Sequence, residues 1–399
     1  MRIGKVVILA VLALFLCNCG GGDGEQPVTP VLPEQTDSVK TDSAKTDTIP
    51  ADTVKTDTIP TDTVQQPELK PDTTAQPATQ RRLSAEAERL LSYLKSIYGK
   101  KMLSGAMACV NWNTSEAQWV YKHTGRWPAL NCFDFIHHVY SQRGGWIDYS
   151  NTSVVEDWHR EGGIVAAMWH WNVPAKKSGE YAFYADDTNF DVRKVFDESS
   201  SEYALMVKDI DQIASYLKPL KDKGIPVIWR PLHEAGGQWF WWGRDAAACN
   251  RLWLLMFERF EAAGLDNLIW AWTHSAAWSK PFSEGMKWYP GDEYVDIVGF
   301  DLYNLTSAQS CYKDYFLWLQ QQCPDKLVAI TECGNIPSLA SQWSAGAKWL
   351  MFMPWYDYGR TNNPSSSAFS SQEHSCAPVS WWQDAWKQDF VLSRDQVEY

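Results

Sequence analysis

"IPVIWRPLHE", residues 225–234, is an apolar run that becomes charged at its end. Ile225, Val227, Ile228 and Trp229 read as a buried strand, whereas Arg230, His233 and Glu234 are costly to bury unless paired or put to use. The chain continues as "AGGQWFWWG" (235–243), with four aromatics in four successive positions, where a loop should be polar. The stretch reads as a strand that delivers a carboxylate to a cleft floored by indole rings. On either side lie "ALMVKDIDQIASYLKPLKDKG" and "AAACNRLWLLMFERFEAAG". The first has apolar residues at helical spacing, and both close on Gly, as helix C-termini often do.

The same alternation recurs along the chain. Short apolar runs appear at 101–108, 127–135, 162–171, 225–234, 267–274, 295–303, 327–334 and 349–356, most of them separated by amphipathic stretches. Continuous apolar strands separated by helices imply a parallel sheet covered by helices. Eight such units imply an α/β fold of the (β/α)8 TIM barrel type. An open doubly wound sheet is the other arrangement, but no Gly-rich phosphate turn follows the first run. Barrel chemistry sits at the C-terminal ends of the strands. His170, Glu234, His274, Asp301, Tyr303, Glu332 and Trp355 each fall at or just past the end of a run.

Glu234 ends the fourth run and Glu332 the seventh, a separation consistent with three βα units. Strands four and seven of an eight-stranded barrel lie on opposite sides, so carboxylates at their ends can face each other across the mouth. Glycoside hydrolysis needs such a pair: one carboxylic acid protonates the leaving oxygen while the other attacks or activates water. A single Glu at a strand end reads equally well as a helix cap or ion-pair partner. Two, on these strands and beside aromatics, point to catalysis.

"RPLHE" followed by "GGQWFWWG", with "ITECG" later, resembles glycoside hydrolase family 26, mostly β-mannanases, within the retaining barrel clan. The resemblance covers nearly all of residues 85–390. It implies that Glu234 is the acid/base and Glu332 the nucleophile. Related families place Asn before the acid/base, whereas this family has His, here His233, expected to hydrogen-bond the sugar near its 2-hydroxyl. His170, in "MWHWNVP", matches the family's strand-three histidine lining the glycone side. Tyr303 is expected to present its hydroxyl to Glu332, holding the carboxylate oriented and ionised. Trp239 is expected to stack on a sugar on the leaving-group side, and Trp355 to form a platform on the other. Arg230, four residues before Glu234, points to the same side of the strand; a buried ion pair and a substrate contact fit it equally. Trp241 and Trp242 read as a seal between loop and barrel, and Trp270 and Trp272 as core. His137 and His138 have no metal-like spacing, and hydrolysis by two carboxylates needs neither metal nor cofactor.

The ends of the chain carry a different message. Residues 1–19, "MRIGKVVILAVLALFLCNC", have a basic start and an apolar run too short to span a membrane, and read as a secretory signal. The end of this segment looks like a lipobox. Cys19, with Leu16 at −3 and Gly-Gly-Gly-Asp after it, fits better than Cys17, which follows Leu16 directly. Asn18 stands where a small residue is usual, and an ordinary cleaved signal is the alternative. Residues 20–80 contain no core. From Thr36 a five-residue unit (TDSVK, TDSAK, TDTIP, ADTVK, TDTIP, TDTVQ) repeats without aromatics, the composition of a disordered tether. Its Asp-Ser/Thr units resemble an O-glycosylation acceptor motif, though a plain spacer explains them too. The globular part is then 81–399, one catalytic barrel.

The net charge of −12 argues against nucleic acid as a partner. Of the nine cysteines seven lie outside the signal, at no metal-like spacing, and Cys311 and Cys323 flank a helix and are candidates to pair. The expected function is a monomeric retaining endo-β-mannanase acting on mannan or manno-oligosaccharide. Its only membrane contact would be a lipid anchor in a Gram-negative-type outer membrane, facing the cell surface or the periplasm. Alternatives on the same scaffold are a mannobiose-releasing exo-enzyme, a β-1,3-xylanase or a mixed-linkage glucanase. A polysaccharide-binding lipoprotein on a decayed barrel would usually have lost one glutamate. A serine esterase lacks its G-x-S-x-G motif.

Overall fold

The computed structural model describes residues 81–109, 112–141, 147–275, 282–303, 311–360 and 363–399; the signal with Cys19 and the tether lie outside them. Each of the eight apolar runs contains one strand. These are β1 (Met102–Met107), β2 (Leu130–Asp134), β3 (Ile164–Met168) and β4 (Val227–Arg230), then β5 (Leu268–Ser275), β6 (Ile297–Tyr303), β7 (Leu327–Gly334) and β8 (Met351–Phe352). From β1 to β7 each pairs in parallel with the next. β8 returns to β1, with Leu103 opposite Met351. The seam between β7 and β8 is closed by Cys333 N–H to Met353 O and Trp355 N–H to Cys333 O, both 2.9 Å. This is the (β/α)8 barrel that the sequence predicts.

The helices are α1 (Ala85–Ile97), α2 (Ser115–Thr124), α3 (Ser153–Arg160), α4 (Ser201–Asp222), α5 (Ala246–Ala262), α6 (Phe282–Gly285), α7 (Cys311–Gln322), α8 (Leu339–Ser344) and α9 (Val379–Ala385). The two stretches flanking the opening run become α4 and α5. Each starts at a side-chain cap, Ser200 and Asp245 respectively, and is followed by a glycine with positive φ, Gly224 (69°) and Gly264 (74°). The helix after β5 shrinks to the single turn of α6.

Strand pleating sorts the side chains into two cores. One set, including Leu130, Ile164, Ala166, Met168, Ile228, Ile269, Ala271, Ile297 and Ala329, packs inside the barrel, with Leu90 and Leu94 of α1 in the same cluster. The alternate set, including Trp229, Trp270, Trp272, Val298, Phe300, Val328 and Ile330, packs outward with helix residues such as Ile213, Leu217 and Trp253. The inward set is small or slender because space inside an eight-stranded barrel is limited. The tryptophans therefore go outward, and Trp270 and Trp272 are core, as their alternation predicts. Cys311 and Cys323 are the candidates to pair from the sequence, and the Cys311 side chain lies outside what the structure describes. They stand at opposite ends of α7, about 18 Å apart at 1.5 Å per residue, beyond the roughly 7 Å limit between Cα atoms of a disulfide. Cys323 is a buried free thiol.

Candidate active site

Past β4 the chain makes a strained turn. Leu232, Glu234 and Gln238 all have positive φ, at 46°, 54° and 65°. Each such residue costs about 1–3 kcal/mol and persists only where its surroundings enforce it. The "GGQWFWWG" segment supplies that enforcement. Trp242 Nε1–H donates to His233 O at 3.0 Å, Trp241 Nε1–H to Trp171 O at 2.7 Å, and Trp288 Nε1–H to Gly243 O at 3.1 Å. Gly243 is packed so tightly that a Cβ there would meet Ala235 O at 2.3 Å, and one on Gly237 would enter the Trp239 ring. Trp241 and Trp242 are fully buried in this seal. Trp239 stays half-buried, and its Nε1–H donates to Glu234 Oε2 at 3.0 Å.

β7 carries an irregularity at the matching height. Phe300 pairs with Ile330 but Asp301 pairs with Glu332, so Thr331 is an extra residue, a β-bulge. Bulges re-aim side chains, and here Thr331 and Glu332 both reach one polar cluster. Thr331 Oγ1–H donates to Asp301 Oδ1 at 2.8 Å. A single Arg230 nitrogen, Nη2, donates to Asp301 Oδ2 at 2.5 Å and to Glu332 Oε2 at 2.7 Å. Tyr303 donates its hydroxyl to Glu332 Oε1, the contact expected from the sequence. Both oxygens of Glu332 are thus held, and the residue is only 7% exposed. Arg230 is equally buried and lies between two carboxylates as an ion-pair partner.

One guanidinium contacts Asp301 and Glu332 and leaves Glu234 without a direct counter-charge, and the electrostatics follow from that. Burial pushes Glu332 up, as does Asp301, against the pull of Arg230 and of the Tyr303 hydrogen bond. Tyr303 favours the ionised form as anticipated but is outweighed. Burial pushes Glu234 well above the usual carboxylate range, with the charges of Asp301 and Glu332 adding to it; distant Arg230 and Trp239 compensate only in part. Asp301 is raised by burial and pulled back by Arg230 and Thr331. The group with the least compensation keeps its proton longest, and that group is Glu234.

His170, just past β3, and His233 come together, Nε2 to Nε2 at 3.1 Å. Their rings contact Phe240, and the Trp355 ring lies 5.7 Å from His170. Trp355 is only 5% exposed, and its Nε1 has no hydrogen-bond partner among the described residues. His274 ends a run but faces away from this cluster. Its ring nitrogens meet the carbonyls of Ser275 (2.7 Å) and Phe282 (2.8 Å), so it serves the loop after β5. His138 is a buried partner of Trp169 and Asp209.

Sequence reasoning missed Asp134, at the end of β2, which holds His170. It also missed Tyr184 and Tyr358. Burial raises both phenols, with smaller contributions from Glu234 and Glu332 at Tyr184 and from Tyr356 and Glu332 at Tyr358, which places both near the carboxylates. Asp134 had a signal, a carboxylate at a strand end; the two tyrosines stand in loops without one. Among the described residues no three His, Cys, Asp or Glu side chains are grouped to hold a metal ion.

The barrel and its mouth place this chain in a known group. It belongs to glycosyl hydrolase family 26, whose sequence pattern matches residues 79–377. A mannan endo-1,4-beta-mannosidase of Thermothelomyces thermophilus is 38% identical over 327 residues, 79% of this chain and 62% of that protein. Mannan endo-1,4-beta-mannosidase A of a Piromyces species is 35% identical over 283 residues, 67% of this chain and 44% of that protein. The chain therefore spans only about half the length of these curated relatives. Among solved structures, the GH26 domain of an endo-beta-mannanase/endo-beta-glucanase from Prevotella bryantii is similar with a TM-score of 0.70 and 34% identity, covering 79% of this chain and 98% of that one.

Proposed function

We propose that this chain is a retaining endo-β-1,4-mannanase acting by double displacement, with Glu234 as acid/base and Glu332 as nucleophile. The observation that carries the reading is the unequal treatment of the two carboxylates. Glu332 is gripped at both oxygens by Arg230 and Tyr303, while Glu234 receives one hydrogen bond, from Trp239. Glu332 Oε attacks the anomeric carbon as Glu234 passes its proton to the departing glycosidic oxygen. Glu234, now a carboxylate, takes a proton from water, whose oxygen displaces Glu332 and restores the starting state. Trp239 lies against the acid/base, where the leaving sugar would rest, and the half of the mouth around His170 and Trp355 would take the glycone.

Mannan is favoured over other β-glycans by the similarity to mannan endo-1,4-beta-mannosidases; His233, expected from the sequence to meet the sugar, is buried with its Nε2 on His170 and adds no direct support. Mannose carries an axial 2-hydroxyl next to the reacting carbon, and a site built to bind it discriminates because the wrong epimer leaves buried polar groups unpaired. The test is purified protein with linear mannan, β-1,3-xylan and mixed-linkage glucan, following viscosity and product length. Mannan should be cleaved at least roughly 100-fold faster than the others, with an early fall in viscosity. Comparable rates on all three would defeat the specificity, and mannobiose as the sole early product would replace endo by exo action. Binding without any hydrolysis would favour a carbohydrate-binding lipoprotein.

The same proposal includes a monomer tethered through acylated Cys19 to an outer membrane. Cys19→Ser should move the protein from the membrane to the soluble fraction. A mature N-terminus at Gly20 or later, without lipid, would sink the anchor.

A further inference from the structure

Asp134 lies at the end of β2, 2% exposed, and both of its oxygens meet His170. Oδ1 accepts the backbone N–H of His170 at 3.0 Å, and Oδ2 lies 2.6 Å from its Nδ1. A carboxylate only accepts, so Nδ1 of His170 carries the hydrogen, and Nε2 of a neutral His170 is a bare lone pair. That lone pair faces Nε2 of His233 at 3.1 Å. Two lone pairs repel, so His233 must carry its proton on Nε2 and donate it. His233 is 1% exposed, and burial, then His170 and Arg230, hold it well below the usual histidine range, so it is neutral and its Nδ1 is bare. That nitrogen is buried and has no hydrogen-bond partner among the described residues. The donor bond pins the His233 ring, and His233 stands between Leu232 and Glu234, both held at positive φ.

We propose that Asp134 is a positioning residue: through His170 it places the one proton between the two imidazoles on His233 Nε2, and the resulting bond holds the turn that aims Glu234. The role in catalysis rests on the hydrolase reading above; the proton arrangement does not. Asp134→Asn is the discriminating change because it keeps the shape and inverts the order. The Asn oxygen still accepts the backbone N–H of His170, so its NH2 group faces Nδ1 and donates. His170 must then carry its proton on Nε2 and give it to His233, whose own proton moves to Nδ1.

The test pairs 15N spectra of the histidine rings with kinetics. In the wild type His170 should be the Nδ1–H tautomer and His233 the Nε2–H tautomer, and in Asp134→Asn both should invert. On the β-glycan that the wild type cleaves best, kcat should fall roughly 100-fold while KM changes little, a loss of the size expected for a misplaced catalytic group. An aryl glycoside with a good leaving group, which needs the acid less, should lose far less. A purely structural role would lower stability or depress both substrates equally, and either result in place of the split overturns the proposal. So does a wild-type spectrum with His170 protonated on Nε2 or on both nitrogens, an arm that needs no variant to fold. If the wild type cleaves no glycan, the hydrolase reading falls, and the catalytic role with it, while the spectra still decide the proton arrangement.

Discussion

Glu332→Ala should reduce turnover of any β-glycan by roughly 10⁵-fold or more, since no covalent glycosyl intermediate can form without the nucleophile. An activated aryl glycoside should be equally inert, because a better leaving group does not replace the attacking oxygen. Glu234→Ala gives the contrast. It should cost about 10²–10⁴-fold on polymer, the range of general acid catalysis, and much less on the aryl glycoside. Azide should rescue this variant by attacking the glycosyl-enzyme, giving a β-glycosyl azide. The pH profiles add an independent check. Both carboxylates lie above the ordinary range, Glu234 furthest, so the wild-type acid limb should fall above the roughly 4.3 of a free glutamate. The basic limb belongs to the proton on Glu234 and should vanish in Glu234→Ala on the aryl substrate. Near-normal rates for Glu332→Ala on either substrate would overturn the assignment.

Arg230→Leu should be the most destabilising change in the mouth. The guanidinium is the shared counter-charge of Asp301 and Glu332, all three being buried. Removing it strands two carboxylates, at about 3–5 kcal/mol for a broken buried ion pair. The sign of the pH dependence is fixed. Without Arg230 the folded-state pKa values of both acids rise further above their unfolded values near 4, so between those limits the native state binds more protons than the unfolded chain. Stability is then fully present below about pH 4 and is lost as pH rises through the folded values. Because Glu332 is already pushed up to about 8 in the wild type, the gap in Tm between wild type and variant should be small near pH 4.5, open first as Asp301 ionises in the wild type, and be largest above pH 8. A gap that stays constant would mean that lost packing, not charge, is responsible. Arg230→Lys should recover only part of the difference, because a point charge cannot address both acids as the planar fork does.

The barrel and the two glutamates were legible because they follow from local pattern. Eight apolar runs and their glycine-terminated helices specify the alternation, and a carboxylate after an apolar run stands out at the position where barrels keep their chemistry. What was not legible depends on contacts between distant segments. Arg230 fitted an ion pair or a substrate contact equally well from sequence; only the meeting of β4, β6 and β7 gives it two carboxylates. His274 ends its run as Glu234 and Glu332 do, yet its pleat faces the helices with Trp270 and Trp272. Trp239 reads as a sugar platform, and its hydrogen bond to Glu234 becomes visible only once the turn is folded. The left-handed backbone at Leu232 and Glu234 has no local signature, since neither residue favours it.

The extra residue in β7 has a consequence for how the chain tolerates change. Upstream of Thr331 the strand keeps one count of inward and outward positions, and downstream it keeps another, displaced by one. With Thr331 present, Glu332 reaches the mouth only because of that displacement, and its neighbour Cys333 packs outward on the helix side. Deleting one residue between Ile330 and Glu332 would leave every strand pairing possible and would keep both glutamates in the chain. Glu332 would then take the inward place of Thr331, opposite Asp301 as before, and Cys333 would stay outward, so the loss is confined to the Thr331 hydroxyl that donates to Asp301. At this point the barrel carries a spare letter: β7 without Thr331 reads in plain alternation and keeps its carboxylate inward, and the frame in which every later side chain is read stays the same.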